Sequence, residues 1–512
     1  MEGTSIASAG PESALANSTD PPQLKHGALG YLSNVVIGVA STAPGYSLAA
    51  TIGFIALISG LGTHTPAVIV VSFVPMLFIA LAYRNMNRAD PDCGTAFSWM
   101  TRALGAGWGF LGGWTLLISA IVVNANQAQI AGSYGVQLFG GTPTTTETVI
   151  IGGVFIVTLT FICWKGIEIS ARTQRLLLFF EMATLVIFAV VALVKVYVKH
   201  PAHSSGVQVD WFNPFTVGAG PLLQGMLFGV FLFWGWDTGV AVNEESENPR
   251  SGPGRSAIAS TVVLICIFLL VSVASQAYAG TSYLAHNPND IFAGGLSRAV
   301  LGSLHILLIV AVLTSATAAT QTTILPAARV ALSMGRRGAL PARFAEIHAR
   351  NLVPAFATLV AGALSLVWFV FIEYVSTNVL GDCVAGLGFL VCFYYGFTGV
   401  SSAIFHRREL GRSLSNALVL GILPLIGAAV LGLIFVKGMI FYGHAANDYS
   451  KPLLGLGVPD WIGILGIGSG IVAMLVTRAR APRFFGERRL VAGDQIETVT
   501  PEATFAPAES LL

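Results

Sequence analysis

Charge is scarce in this chain. Only 10% of its residues are Asp, Glu, Lys or Arg, against roughly 25% in soluble domains. A water-facing fold of 512 residues could not cover its surface with so few, so lipid is expected to be the solvent for much of it. Charge does not lean to one sign either, and a formal net charge of +2 offers no nucleic-acid surface. Cysteine is sparse: Cys93, Cys163, Cys266, Cys383 and Cys392 form no CxxC pair, and the nine histidines lack metal-ligand spacing. Neither a disulfide framework nor a metal site is expected. Walker-type, HExxH and GxSxG motifs are absent, and no polar stretch is large enough for a separate catalytic domain. The sequence therefore argues against an enzyme and calls for no cofactor.

What the chain has is apolar length. Hydrophobic residues make up 54% of it, and runs of the roughly 20 residues that a bilayer core requires recur near 29–58, 65–83, 108–135, 148–164, 174–196, 220–244, 256–280, 302–334, 353–372, 377–405, 417–437 and 459–478. This predicts an all-α integral membrane protein of about twelve spans. With the N-terminus in the cytoplasm, 22 of the 27 Lys and Arg fall in cytoplasmic segments. That bias supports an even span count and a plasma-membrane protein with both ends inside. Residues 1–28 lack the basic start and apolar core of a signal peptide. They and the tail, 479–512, read as polar, disordered cytoplasmic ends. Trp99, Trp108, Trp114, Trp211 and Trp461 read as interfacial anchors.

Two spans are interrupted in their middles. The first holds Ser41-Thr42-Ala43-Pro44-Gly45-Tyr46 and the sixth holds Phe231-Leu232-Phe233-Trp234-Gly235-Trp236-Asp237. Proline removes a backbone donor and glycine frees the chain. Irregular backbone at membrane depth is tolerated only where it lines a protein cavity. Either break alone could be a kinked packing helix; two at matching positions of two five-span halves point to the binding site of an inverted-repeat transporter. Amides opening a half-helix suit a substrate carboxylate, and carbonyls closing the preceding one suit an ammonium.

Four further motifs occur in order: Gly94-Thr-Ala-Phe-Ser-Trp99 with Gly109 and Gly113-Trp114; Lys165-Gly166-Ile-Glu-Ile-Ser170; Glu244-Glu245 with Asn248-Pro249-Arg250; and Arg329 with Met334-Gly335-Arg336-Arg337-Gly338. On this topology the chain resembles the amino acid–polyamine–organocation (APC) superfamily of transporters over roughly residues 30–480. The resemblance implies the leucine-transporter fold: a first five-helix repeat over 29–200, a second over 201–410, and two peripheral helices over 411–478. It implies that Ser41, Thr42, Ala43, Pro44, Gly45, Phe231, Trp234, Gly235, Trp236 and Asp237 bind the substrate, with Phe231 as an outer lid and the carbonyls of Phe231 and Trp234 receiving its amine. The family's first-span turn is Gly-Ser-Gly-like; Thr42-Ala-Pro-Gly45 departs from it.

A carboxylate at mid-bilayer costs ~2.5–3.5 kcal/mol on insertion scales and marks a functional candidate. Asp237 and Glu181 qualify, and Asp382 reads as a cap near the outer face. Glu181 is expected beside the first and eighth spans, near where sodium-independent relatives place a Lys. There it could carry a coupling proton, ligate Na⁺, or simply hydrogen-bond for packing. Thr317 and Thr320, among the hydroxyls of the eighth span, are the other ion-coupling candidates. Glu244 and Glu245 are expected to close the cytoplasmic end of the sixth span. The reading that results is a secondary carrier of an amino acid, proton-coupled, with Na⁺ coupling or an amine carrier or exchanger as alternatives. Its partners are a small-molecule substrate, the coupling ion and membrane lipid; oligomeric state is not legible.

Overall fold

The protein is described here from a computed structural model, which describes residues 24, 26–166, 171–289, 291–292, 295–444, 447–486, 489–492 and 494. The expectations for 1–23, for 167–170 of the Lys165 motif and for 495–512 lie outside the described residues.

Apolar runs fold as helices here because a bilayer leaves the backbone no other hydrogen-bond partner. The first span is α1 (Tyr31–Thr42) and α2 (Pro44–Leu57). Spans two to five are α3 (Thr65–Ala89), α5 (Ala106–Leu138), α6 (Thr145–Trp164) and α7 (Ala171–Lys199), with the short α4 (Ala96–Leu104) leading into α5. The sixth is α8 (Ala219–Leu232) and α9 (Thr238–Ala241). Then come α10 (Gly252–His286), the short α11 (Gly295–Leu301), α12 (His305–Arg336), α13 (Ala355–Val375), α14 (Val379–Phe405), α15 (Leu423–Tyr442), α16 (Val458–Arg480) and the single-turn α17 (Pro482–Phe485). Among the described residues, eleven helical stretches are long and apolar enough to cross a membrane. The broken sixth span, whose apolar part is the 14-residue α8, completes twelve.

The breaks in spans one and six lie against each other, with Ser41 hydrogen-bonded to Thr238 across them. The first span and α14 are the most enclosed stretches. Glu181, Asp237 and Ser315 all lie in this protected centre. By contrast, α6, α15 and α16 expose most of their apolar side chains, as lipid-facing helices do, and α15 and α16 pack on α14 from outside.

Three expectations are corrected. Trp99 is fully buried rather than interfacial: its indole N–H donates to the Asp90 carbonyl at 2.8 Å and its ring meets Tyr83 edge-on. Trp211 is buried too. The described part of the tail is ordered: Phe484 is buried against Phe97, and the amides of Leu490 and Ala492 donate to the carbonyls of Arg102 and Phe405.

Candidate functional site

The break in the first span follows from Pro44. A residue before proline is pushed out of the α region, and Ala43 adopts φ 52°, ψ 70°. Helix α2 restarts with proline in its first position, where the missing N–H is no loss. Its next amides would be orphan donors, and other helices supply their acceptors. Gly45 N–H donates to Glu181 Oε1 at 2.7 Å, and Tyr46 N–H to Ser315 Oγ at 3.2 Å. The Ser315 hydroxyl donates to the same Glu181 oxygen at 2.7 Å. Glu181 on α7 and Ser315 on α12 thus cap α2 from outside, with the carboxylate at the positive end of the helix dipole. These amides were expected to meet a substrate carboxylate; in the structure they are already engaged.

The break in the sixth span centres on Gly235, at φ +116°. A Cβ there would lie 2.8 Å from the Ser41 carbonyl oxygen and 2.9 Å from the Thr42 nitrogen. Only glycine lets the two breaks touch. Ser41 and Thr238 share a hydroxyl–hydroxyl hydrogen bond of 2.7 Å across them. Among the described residues, the amides of Gly235 and Trp236 and the carbonyls of Leu232, Phe233 and Trp234 have no hydrogen-bond partner. The Phe231 carbonyl accepts from Trp234 N–H at 2.9 Å, so it is less free than Trp234's for an incoming amine. The Phe231 ring stands edge-on to Tyr46 at 6.2 Å, joining the two broken spans.

Asp237 is buried, and its Oδ2 accepts from the Tyr394 hydroxyl at 3.3 Å. Tyr394 in turn accepts from the Trp234 indole N–H. Asp237 makes no side-chain cap to α9, so a simple capping role does not describe it. Its surroundings are aromatic: Trp236, Tyr394 and Tyr395 interlock with Tyr83.

The structure separates the remaining candidates. Thr317 donates back to the Leu313 carbonyl of its own helix, and Thr320 to Gln127 Oε1 on α5 at 2.7 Å. The hydroxyl that reaches Glu181 is Ser315. Asp382 is fully buried and accepts from Ser376 and Ser450, while Asn378 caps α14. It clamps a loop rather than capping a helix.

At the basic end of the bundle, Glu245 receives both arms of Arg329, Nε and Nη2 each at 2.7 Å, and both residues are buried. Glu244 accepts from Cys93 N–H at 3.0 Å and Arg336 at 3.1 Å. Nearby, Asp92 accepts from Gly94 N–H, Ser98, Ser333 and Arg337 at 2.7–2.9 Å. Burial alone would raise the Asp92 pKa, but Arg337, Arg102 and these hydrogen bonds hold it well below the usual carboxylate range. Asp92, Cys93 and Glu244 have the spacing to hold a metal ion. Their carboxylates are already neutralised by guanidinium groups, so the donor set reads as an ion-pair knot.

Sequence reasoning missed Tyr394, Asp92 and Ser333, and among the eighth-span hydroxyls, Ser315 included, it singled out Thr317 and Thr320 instead. Asp92 had a signal, since it follows Asp90-Pro91 ahead of the Gly94 motif while its partners sit in the basic run after α12. Tyr394 and Ser315 had none beyond being polar atoms in apolar helices.

With this geometry in hand, similarity to known proteins is informative. A family model described as "Amino acid permease" matches residues 29–467. The branched-chain amino acid permease BcaP of Lactococcus lactis is 25% identical, covering 66% of this chain and 74% of its own. The low-affinity putrescine importer PlaP of Escherichia coli is 23% identical, covering 79% and 86%. An arginine/ornithine antiporter of Latilactobacillus sakei is 24% identical, covering 73% and 81%.

Proposed function

As this chain belongs to the amino acid permease family, within the APC superfamily, and is therefore a multi-span membrane transporter of amino acids or amines, we propose that its substrate binds between the breaks of the first and sixth spans. The observation that carries this is the direct contact of the two breaks at Gly235 and Ser41, with free amides and carbonyls of 232–236 beside it. The substrate carboxylate falls to the Gly235 and Trp236 amides, since those of Gly45 and Tyr46 are taken. The Trp234 carbonyl receives the amine, and Phe231 with Tyr46 covers the site. Movement is alternating access across the plasma membrane, with the basic end, Glu244 and Glu245 included, facing the cytoplasm. Glu181 carries the coupling proton, because protonating it changes the cap on α2 directly.

A second reading has a specific observation behind it. Asp237 lies buried among aromatic rings with a tyrosine hydroxyl as its partner and no cationic side chain paired with it among the described residues, an arrangement suited to a second ammonium group. Relatives named for putrescine and for arginine and ornithine fit that chemistry, whereas the branched-chain permease fits a plain zwitterion. The test is uptake into proteoliposomes of labelled neutral amino acids, dibasic amino acids and diamines, under separate proton and sodium gradients. Accumulation driven by protons alone supports the coupling assigned here, and accumulation that requires sodium overturns it. If Asp237 receives a second ammonium, Asp237→Asn cuts uptake of dibasic substrates at least tenfold and spares neutral ones. Equal effects on both would leave it a packing group.

A further inference from the structure

A polar cavity of about 690 Å³ opens on the basic end of the bundle. It lies between the end of α3, the loop after α9, the end of α14 and the stretch leading into α15. Three arginines reach it: Arg84 and Arg88, one turn apart on α3, and Arg250 from the loop. Four other arginines of this end are matched by acids. Arg329 pairs with Glu245, Arg336 with Glu244, Arg337 with Asp92 and Arg102 with Asp90. Arg84, Arg88 and Arg250 form no ion pair with any described residue, and Arg84 donates only to Asn85 Oδ1 at 3.4 Å. The two acids that also line the cavity, Glu409 and Asp494, are paired with the exposed Arg412 and Arg408. Placing Arg84 and Arg88 one helical turn apart is unfavourable unless an anion screens them. Ser415 and Asn416 add neutral polar groups to the same wall.

The cavity also sits at a definite depth. Its wall continues through Val419 and Leu420 into a stretch whose Leu418, Ile422, Leu425 and Ile426 are exposed apolar side chains, so the headgroup level of the membrane meets the cavity mouth. Basic pockets between membrane helices at this level bind anionic headgroups. We propose that Arg84, Arg88 and Arg250 form a binding site for a phosphate-bearing anion, distinct from the substrate site. The ligand chemistry is a phosphate ester clasped by guanidinium groups, which favour that geometry. Its source is the headgroup of an anionic phospholipid or a soluble phosphate. A bound anion would bridge α3 and the loop after α9 to the end of α14, adding to the hydrogen bonds from Asn85 Nδ2 to the Val419 carbonyl at 2.8 Å and from Asn87 Nδ2 to the Pro249 carbonyl at 2.7 Å.

The test uses the full-length protein in uncharged detergent. Its thermal midpoint and retained lipid, the latter by native mass spectrometry, are read on titration with phosphatidylglycerol, with phosphatidylcholine, and with inorganic phosphate in place of lipid. Each basic group near an anionic surface contributes about a factor of five in affinity. The triple variant Arg84→Gln, Arg88→Gln, Arg250→Gln is therefore expected to bind roughly a hundredfold more weakly. Arg343→Gln with Arg350→Gln, two other arginines of the same end outside the cavity, is expected to match the parent. Protection by phosphatidylglycerol alone identifies a lipid headgroup; protection by inorganic phosphate at comparable concentration identifies a soluble ligand. Protection equal with phosphatidylcholine, or unchanged in the triple variant, overturns the site. Should the triple variant not assemble, Arg88→Gln and Arg250→Gln singly, both at exposed positions, carry the same comparison at about fivefold each.

Discussion

Two donors converge on one oxygen of Glu181, which separates its charge from its hydrogen bonds. Gly45 N–H and the Ser315 hydroxyl each lie 2.7 Å from Oε1. Glu181→Gln keeps a carbonyl oxygen at that position, so both hydrogen bonds survive in kind. What is lost is charge assistance. Hydrogen bonds to charged groups contribute ~1.5–3 kcal/mol and neutral ones ~0.5–1.5, so the two bonds together lose about 2–3 kcal/mol if the carboxylate is ionised, and almost nothing if it is protonated. Glu181→Ala instead orphans the Gly45 amide and one Ser315 contact, at ~1–3 kcal/mol each, with a cavity besides. The Gln variant is therefore expected to fold, with a thermal midpoint close to the parent, and the Ala variant to be clearly destabilised. In proteoliposomes, the Gln variant should lose accumulation against a gradient while retaining exchange of internal for external substrate. A neutral amide cannot load and unload a proton, but exchange needs no net proton movement. Equal loss of accumulation and exchange at unchanged stability would refute Glu181 as the proton carrier.

Other perturbations test the neighbouring links. Gly235→Ala places a Cβ under 3 Å from the Ser41 backbone at positive φ, adding ~1–2 kcal/mol of backbone strain to a clash. Transport should fall at least tenfold in protein that still assembles; normal transport would mean the breaks need not touch. Glu245→Gln leaves Arg329, 1% exposed, without its countercharge, and is expected to cost about 3–5 kcal/mol in thermal or denaturant unfolding. Adding Arg329→Met should recover part of that; a double-mutant cost equal to the sum of the singles would refute the pairing. For Asp92 the folded pKa is depressed, so its stabilisation is present above pH ~4 and lost as the pH falls further. Asp92→Asn should therefore lower the melting temperature at pH 7, by a gap that begins to narrow below pH ~4 and keeps narrowing as the pH falls; a gap of the same size at pH 7 and at pH 3 would assign the loss to shape rather than charge.

Much of the architecture was legible because the bilayer restricts the choices. Span number, the polar loops and both breaks follow from apolar length and from Pro44 and Gly235, whose backbone effects are local. The placement of Glu181 beside the first and eighth spans came from family likeness, not from its flanking residues, which are uniformly apolar. What could not be read is side-chain pairing across helices. Six residues of the eighth span carry hydroxyls, and nothing in their order says that Ser315 turns to Glu181 while Thr317 bonds its own helix and Thr320 bonds Gln127. The helical period separates Ser315 from Thr317 by about 200°, so only the rotation of α12 against α7 decides, and packing sets that rotation. The same holds for Trp99: tryptophans of membrane proteins favour the interface, but its N–H finds the Asp90 carbonyl inside the fold.

The two breaks are held differently, and that difference gives the site its direction. The first break is tied on one side to α7 and α12 through Glu181 and Ser315, and on the other to the sixth span through Ser41, Thr238 and Gly235. The sixth is tied to α14 through Trp234, Tyr394 and Asp237, and at its far end to α12 through Glu245 and Arg329. A substrate between the breaks competes for none of these bonds directly, because the free groups belong to 232–236. A proton reaching Glu181 changes one of them, the bond that docks α2. Protonation weakens that oxygen as an acceptor and lessens its favourable interaction with the helix dipole. The first span is then less firmly held to α7 and α12 while its contact with the sixth persists. On the assignment proposed above, proton and substrate act on the same broken pair from opposite sides, and the coupling path between them is the stretch Thr42-Ala43-Pro44-Gly45.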